Sequence, residues 1–424
     1  MECGDDRGSS SHFPSALSAD ISICKFDAKP QHVLIIKRRN TPTVTTVAMR
    51  LAQFLSERYG ITVIVEPAAA AEMAGHQPAN IKTWLNQTSA SNLAAMIDFV
   101  IAIGGDGTIL WVSNLFPGFI PPVVGFSMGS LGYLNQFAID EAENTLQQIV
   151  EDNFPVSFRQ RIMVSIYDEC HRKFNEMAGL NECVIDRGPS PFLTVLEVFY
   201  NNHFFTNVSA DGLILATPSG STAYSMSAGG PVVHPKVPCF LFTPISPHSL
   251  SFRPLVIPNT AKLRIEVSSD SRAPAWVAVD GRGGTEMKQG SYAIIELAPH
   301  PFPLVINHST TKLDTWLSSL KRSLNWNQKI RQNASFENSP RVYPSQESAA
   351  HFSSANSLSN EKHHESDIQE QFFGTKNTTL HLPDNPSGSY NILYLDAESF
   401  KGKKASLIMN ASVNVPFSTS QMHT

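Results

Sequence analysis

Two rhythms of apolar positions divide the chain. Before residue 150 they come in continuous runs: HVLIIK at 32–37, ITVIVE at 61–66, IDFVIAI at 97–103 and PPVVGF at 121–126. A strand covered on both faces produces such runs, because neither set of alternating side chains meets water. Val47, Leu51, Phe54 and Leu55 recur between the first two runs at helical spacing. Asp140 and Glu143 have the spacing of a capping box ahead of a helix carrying Leu146, Ile149 and Val150. Strands exchanging with helices predict an α/β domain with a parallel sheet over 29–150.

After residue 151 the rhythm alternates. Ile162, Val164 and Ile166 stand between polar or small residues, as do Leu263, Ile265 and Val267 among Lys262, Arg264 and Glu266. FLTVLEVFY at 192–200, WVAV at 276–279 and YAIIEL at 292–297 add short strand-like runs between Gly, Pro, Asn and Asp. The expectation is a β-rich domain over 151–310, largely antiparallel, then a return segment at 311–327. Residues 1–28 read as a flexible leader. Residues 328–424, rich in Ser, Asn, Gln and His, read as a disordered low-complexity tail in which NILYLDAESF at 391–400 has the pattern to order locally. EKHH at 361–364 reads as solvated tail rather than a metal site.

Composition narrows the function classes. The 424 residues, 42% hydrophobic, are enough for two cores. A formal charge of −5 gives no general attraction for nucleic acid or an anionic membrane. No stretch approaches the roughly eighteen consecutive apolar residues of a membrane span. Cys3, Cys24, Cys170, Cys183 and Cys239 are scattered and form no CxxC pair, which favours reduced structural thiols. The start MECGDDRGSSS has neither a secretory nor an organellar pattern, so a cytoplasmic protein is expected.

Candidate chemistry lies in two places. Gly104-Gly105-Asp106-Gly107-Thr108 follows a strand and precedes the helical candidate ILWVSNLF. A glycine turn there exposes backbone N–H groups near a helix N-terminus, a setting that favours phosphate. Asp106 among those donors either orients a hydroxyl nucleophile or closes an Asx turn. Neither GxxxxGK[ST] nor GxGxxG occurs at this turn. Gly125, Gly129 and Gly132 in GFSMGSLG make a second close turn or simply pack a buried reversal.

The second place combines Asn181-Glu182, Asp211-Gly212 and the run from Thr217 to Gly230, TPSGSTAYSMSAGG. Its carboxylates, hydroxyls and one aromatic ring suit a nucleoside-like ligand; alone, Asn181 and Glu182 also fit a turn cap. Ser221 lacks the surroundings of a catalytic serine. His234 and His248 read as structural, and Arg253 either contacts phosphate or locks neighbouring carbonyls.

Taken in order, GGDGT, NE, DGLILATPSGSTAYSMSAGG, HP, ISPHSLSFRPLVIP and VDGR resemble the NAD kinase family, particularly its eukaryotic and fungal-type members, over about 30–305. GGDGT by itself is shared with diacylglycerol and sphingoid-base kinases. The resemblance implies an α/β domain and a β-rich domain with the active site between them. It implies transfer of the ATP γ-phosphoryl group to the 2′-hydroxyl of the adenosine ribose of NAD, and of NADH as an option, with Mg²⁺ and in a homo-oligomer. It casts Asp106 as catalytic base and ribose contact, and Asn181 as a companion ribose or adenine contact. Glu182, Asp211, Thr222, Ala223, Tyr224 and Ser227 match the dinucleotide pocket. Gly104, Gly105 and Gly107, with Thr108, would hold phosphate against backbone donors; no protein metal ligand is assigned. Ser219 departs from the threonine of many relatives, and the tail has no family match. The alternatives are a lipid kinase, which needs an apolar acceptor groove, and an inactive dinucleotide-binding regulator.

Overall fold

The computed structural model describes residues 21–73, 81–84, 88–307, 315–324, 393–395 and 407–409. An eleven-stranded mixed sheet carries the first half. Its parallel part runs, in spatial order, Ile81–Trp84, Thr62–Val65, His32–Lys37, Phe99–Ile103 and Val123–Ser127. The chain therefore builds outward in one direction from His32–Lys37, then returns and builds in the other from Phe99–Ile103. This reversal opens a crevice at the C-terminal ends of those two strands, where ligands settle in open α/β sheets.

Both faces of the parallel strands are covered, as the continuous apolar runs require. Val33, Ile35 and Ile101 pack under the helices Pro42–Tyr59 and Ala142–Glu151, while Leu34, Ile36 and Val100 pack under Ala90–Met96 and Asp106–Leu115. The Pro42–Tyr59 helix opens on a proline, whose missing N–H is no loss in the first turn. Three short elements escape the sequence pattern: the helices Pro67–Glu72 and Ala90–Met96 and the strand Ile81–Trp84. The capping box is not formed either. A 3₁₀ turn, Ile139–Glu141, runs straight into the helix and no side chain caps it, while Leu146 and Ile149 are buried as expected.

Residues between Ile162 and Leu297 form two six-stranded antiparallel sheets packed face to face. The alternating residues Ile162, Val164, Ile166, Leu263, Ile265 and Val267 all point into the core between them. Two strands grouped with this layer by sequence pattern, Phe154–Arg159 and Phe302–Val305, pair instead within the first sheet. Their side chains are nearly all buried and so suit a doubly covered sheet. The leader and the tail also contribute to that sheet. Ile21–Phe26 pairs with Phe154–Arg159, Leu407–Met409 with Ile21–Phe26, and Leu393–Leu395 with Ile81–Trp84. Bare strand edges attract such short pairings because their N–H and C=O groups lack partners. The rest of the tail, including EKHH, lies outside the described residues. Among the described residues no helix is long and apolar enough to cross a membrane.

Candidate functional site

The site starts where Phe99–Ile103 ends. Gly104 N donates to Phe126 O and Arg38 N to Ile103 O, each at 2.9 Å, so the turn is fixed between its two neighbours in the sheet. A side chain on Gly104 would collide with the Thr108 hydroxyl beneath it. Gly105 is the N-cap of the ten-residue helix Asp106–Leu115, and no side chain caps that end. Open space surrounds Gly105 and Gly107. The first-turn amides thus keep their capacity for an anion.

Asp106 is half-buried and turned onto the loop that follows Gly132. Its Oδ2 accepts Tyr133 N at 2.9 Å; Oδ1 accepts Leu134 N, Asn135 N and Asn135 Nδ2 at 3.2, 3.1 and 3.2 Å. A Cβ on Gly132 would overlap this carboxylate, so the loop approaches only because glycine stands there. Gly132 and Asp106 are therefore one device, and Gly125 serves it indirectly by leaving room for Asn135. Oδ2, with a single hydrogen bond, retains acceptor capacity for an incoming hydroxyl.

Strand register gathers the second group. Glu182–Asp186 lies between Gly212–Ala216 and Ala275–Val279, with Glu182 opposite Ala216 and Cys183 opposite Val279. Thr217 N then donates to Asn181 O at 2.8 Å, and Asp280 N to Glu182 O at 2.9 Å. NE, TPSGSTAY and VDGR, far apart in sequence, thereby meet at one sheet end. Asp280 and Gly281 make a two-residue turn with φ of +49° and +71°, the type I′ geometry that Asp-Gly favours. The turn aims the Asp280 carboxylate inward, where it accepts Leu180 N, Asn181 N and Glu182 N at 2.7, 2.8 and 3.1 Å.

Glu182 beside it is buried, and its Oε2 has no hydrogen-bond partner among the described residues. Burial first, and then the Asp280 charge, push the Glu182 carboxyl up to about 8, against a pull from the Tyr224 N–H. Burial also raises Asp280, opposed by its three amides and by Arg161. Those amides give Asp280 the better claim to the negative charge, which leaves the proton on Glu182. Asn181 presents a half-exposed side chain that makes no hydrogen bond within the described residues.

The Ser219–Thr222 turn and the short Tyr224–Ser227 helix border this group. Thr222 Oγ1 donates to Ser219 O at 3.3 Å, Ala223 N to Gly220 O at 2.9 Å, and Ser227 is exposed. The Tyr224 phenol is raised by burial, then by the charges of Asp186, Asp211 and Glu182. Tyr224 is thus within electrostatic reach of both ends of the strand, and of Asp211, which itself pairs with Arg187 at 2.8 Å. Ser221 is fully buried, bonded to Val233 O and Val233 N at 3.0 Å each, and is a structural tie. His234 accepts Lys236 N and meets the Trp316 ring edge-on at 5.0 Å. Arg253 locks the carbonyls of Leu250 and Phe252 at 2.7 and 2.9 Å.

Several residues around the site give no sequence signal. Arg161 has no exposed surface and donates to the carbonyls of Ser113, Phe116, Pro117, Gly118 and His300. It therefore ties the C-terminal end of the Asp106–Leu115 helix to the antiparallel sheets, with a cation where the helix dipole is negative. Burial pulls its guanidinium down to about 10. In sequence Gln160-Arg161 looks like an ordinary polar turn. Trp111, Arg39, Glu66 and Arg282 form a further cluster. Among the described residues no group of three His, Cys, Asp or Glu side chains is placed to hold a metal ion.

Comparison with known proteins gives a consistent result. Residues 33–154 match the family model of the ATP-NAD kinase N-terminal domain, and residues 180–307 that of the ATP-NAD kinase C-terminal domain. The NAD(+) kinase of Saccharomyces cerevisiae is 35% identical over 362 residues, 78% of this chain and 67% of the yeast protein. The chloroplastic NAD kinase 2 of Arabidopsis thaliana is 39% identical over 315 residues, 72% of this chain and 31% of the plant protein. The crystal structure of yeast NADH kinase complexed with NADH superposes with a TM-score of 0.66 at 29% identity. That match covers 73% of this chain and 96% of the yeast chain.

Proposed function

The chain belongs to the ATP-NAD kinase family, and from that premise we propose that it transfers the γ-phosphoryl group of ATP to the 2′-hydroxyl of the adenosine ribose of NAD, and accepts NADH as well. The observation that carries this reading is Glu182. Its Oε2 is a buried polar atom with no hydrogen-bond partner among the described residues, beside the unengaged Asn181 amide. Leaving such an atom unpaired costs about 1–3 kcal/mol, which a ligand hydroxyl would recover. Tyr224, exposed and within electrostatic reach of Glu182, Asp186 and Asp211, adds the aromatic surface against which part of a dinucleotide would pack.

In this reading Glu182 and Asn181 hold the ribose, and the Tyr224–Ser227 turn borders the rest of the acceptor. The donor phosphates take the open amides of Gly105–Gly107. Asp106 Oδ2 accepts the proton of the 2′-hydroxyl as its oxygen bonds to phosphorus. The bond from phosphorus to the bridging oxygen of ADP breaks, and ADP leaves with that electron pair. Proton transfer can lag behind phosphorus–oxygen bond change, so Asp106 serves first to orient the hydroxyl. Mg²⁺ would enter on the donor's phosphates and offset their charge; the described residues supply no separate carboxylate cage for it.

The exposed side chains of Phe204, Phe205 and Val256 suit a homo-oligomer. The free cysteines Cys24, Cys170, Cys183 and Cys239 suit a reducing compartment such as the cytoplasm. The function is tested by offering the full-length protein Mg-ATP with NAD, NADH or dispersed diacylglycerol. NADP or NADPH formation without lipid phosphorylation is expected. Lipid phosphorylation with neither dinucleotide turned over would replace this reading with the lipid-kinase one.

A further inference from the structure

One cluster joins the two halves of the molecule beside the glycine turn. Trp111, on the Asp106–Leu115 helix, donates through Nε1 to Glu66 Oε1 at 2.8 Å. The same oxygen accepts Arg39 Nη2 at 2.9 Å. Two guanidiniums share the indole: Arg282 Cζ lies 4.0 Å from its ring centroid and Arg39 Cζ 5.2 Å. Arg39 leaves the C-terminal end of His32–Lys37, whereas Arg282 follows the Asp280–Gly281 turn of the antiparallel layer.

Both carboxylates near the stack already have partners. Glu66 is buried and already engaged by Arg39 and Trp111, and Asp280 is turned inward onto three amides. Arg282 makes no hydrogen bond or ion pair with a side chain among the described residues; burial and then the nearby Arg39 charge work against its protonated form and outweigh the opposing pull of Asp280 and Glu66. Arg38, also exposed, lies alongside Gly104. Cations crowded onto one ring at a sheet crevice, with exposed heads, make a receptor for a multiply charged anion.

We propose that Arg39 and Arg282, stacked on Trp111, form a two-armed clamp for the β- and γ-phosphates of the nucleotide donor. This rests on the kinase reading of the same site and assigns its donor side. Arg39 follows His32–Lys37, a strand that borders the switch point of the parallel sheet, and Trp111 lies about one helical turn beyond Gly107 on the helix whose uncapped end carries the Gly105–Gly107 amides. Glu182, Thr222 and Tyr224, the acceptor elements, all belong to the antiparallel layer. Because one arm comes from each layer, phosphate bridging both arms also holds the layers together during transfer. Arginine suits the task because its planar fork grips phosphate oxygens in pairs and keeps its charge against an indole face.

The competing account is that the stack is only a latch between layers. Arg39→Ala, Arg282→Ala, the double variant and Arg282→Lys in the full chain separate the two. Readouts are KM for Mg-ATP and for NAD, the melting temperature, and calorimetric binding of inorganic tripolyphosphate without NAD. The clamp predicts that each alanine variant raises KM for ATP about tenfold, from loss of charge-assisted hydrogen bonds, with KM for NAD nearly unchanged. Tripolyphosphate binding should weaken in parallel, and Arg282→Lys should fall between wild type and alanine. An unchanged KM for ATP with a lower melting temperature overturns the clamp in favour of the latch, and a change confined to KM for NAD overturns it in favour of the acceptor. If Arg282→Ala does not fold, Arg282→Lys decides alone: a severalfold rise in KM for ATP supports the clamp and no rise overturns it. Arginine-dependent tripolyphosphate binding by a wild type that makes no NADP would keep the clamp and refute the kinase reading.

Discussion

Replacing Glu182 with Gln removes one titration and little else, because the two side chains have nearly the same shape. The wild-type carboxyl is raised from 4.5 to about 8 by burial and by Asp280. At about 1.4 kcal/mol per unit, that separation sets a ceiling of about 5 kcal/mol on the pH-dependent difference. Structural relaxation and water entry reduce the measurable part to about 2–3 kcal/mol. The sign follows from a folded-state pKa above the unfolded one. The protonated form favours folding, so this contribution is complete below about pH 4.5 and is lost as pH rises through 8. Denaturant unfolding of wild type and Glu182→Gln from pH 5 to 9 should therefore diverge, with the variant becoming relatively more stable toward pH 9. Parallel profiles across that range would show that Glu182 is not a desolvated acid next to Asp280.

Four further outcomes follow from the same geometry. Gly132→Ala should push the loop off Asp106 and lower kcat at least about tenfold while the melting temperature moves only a few degrees; an unchanged kcat would separate the loop from the chemistry. Asp106→Asn should lower kcat by about 10² or more and also loosen residues 133–135, since Asn offers one acceptor oxygen to amides that now use two; hydrogen exchange at those amides reports the second effect, and full turnover would exclude the base role. Arg161→Met should cost at least about 3 kcal/mol, because five carbonyls lose their donor; a smaller loss in chemical unfolding would mean that water replaces the guanidinium. A chain ending at residue 325 should keep most activity per molecule, since every site residue and the Thr315–Leu324 helix remain; loss of activity without loss of folding would assign the tail a direct part.

What could be read from the sequence followed a physical division. Continuous apolar runs announced the doubly covered parallel strands, and alternation announced the antiparallel sheets, because side-chain period reports burial directly. Ile81–Trp84 and Ala90–Met96 are too short, and too poor in apolar residues, to set up either period. Asp106 and Tyr224 were legible as candidate chemistry because unusual residue types were concentrated beside or between glycines, while Asn181 and Glu182, which alone also fit a turn cap, were so only through the family resemblance. Their arrangement was not. The meeting of Asn181 with Thr217 and Asp280 is a matter of strand register, which no local window contains. Arg161 and the Arg39–Trp111–Arg282 stack were hidden for the same reason: each partner looks like an ordinary surface or core residue until the two layers are packed.

The central claim, phosphoryl transfer to one particular hydroxyl, is tested most directly by identifying the product. Full-length protein, Mg-ATP and NAD should yield a compound that an NADP-specific dehydrogenase reduces and whose new phosphorus signal couples to the 2′ position of the adenosine ribose. A phosphate on any other hydroxyl, or ATP consumption with no phosphorylated dinucleotide, would contradict the roles of Asp106 as base and Glu182 as ribose contact.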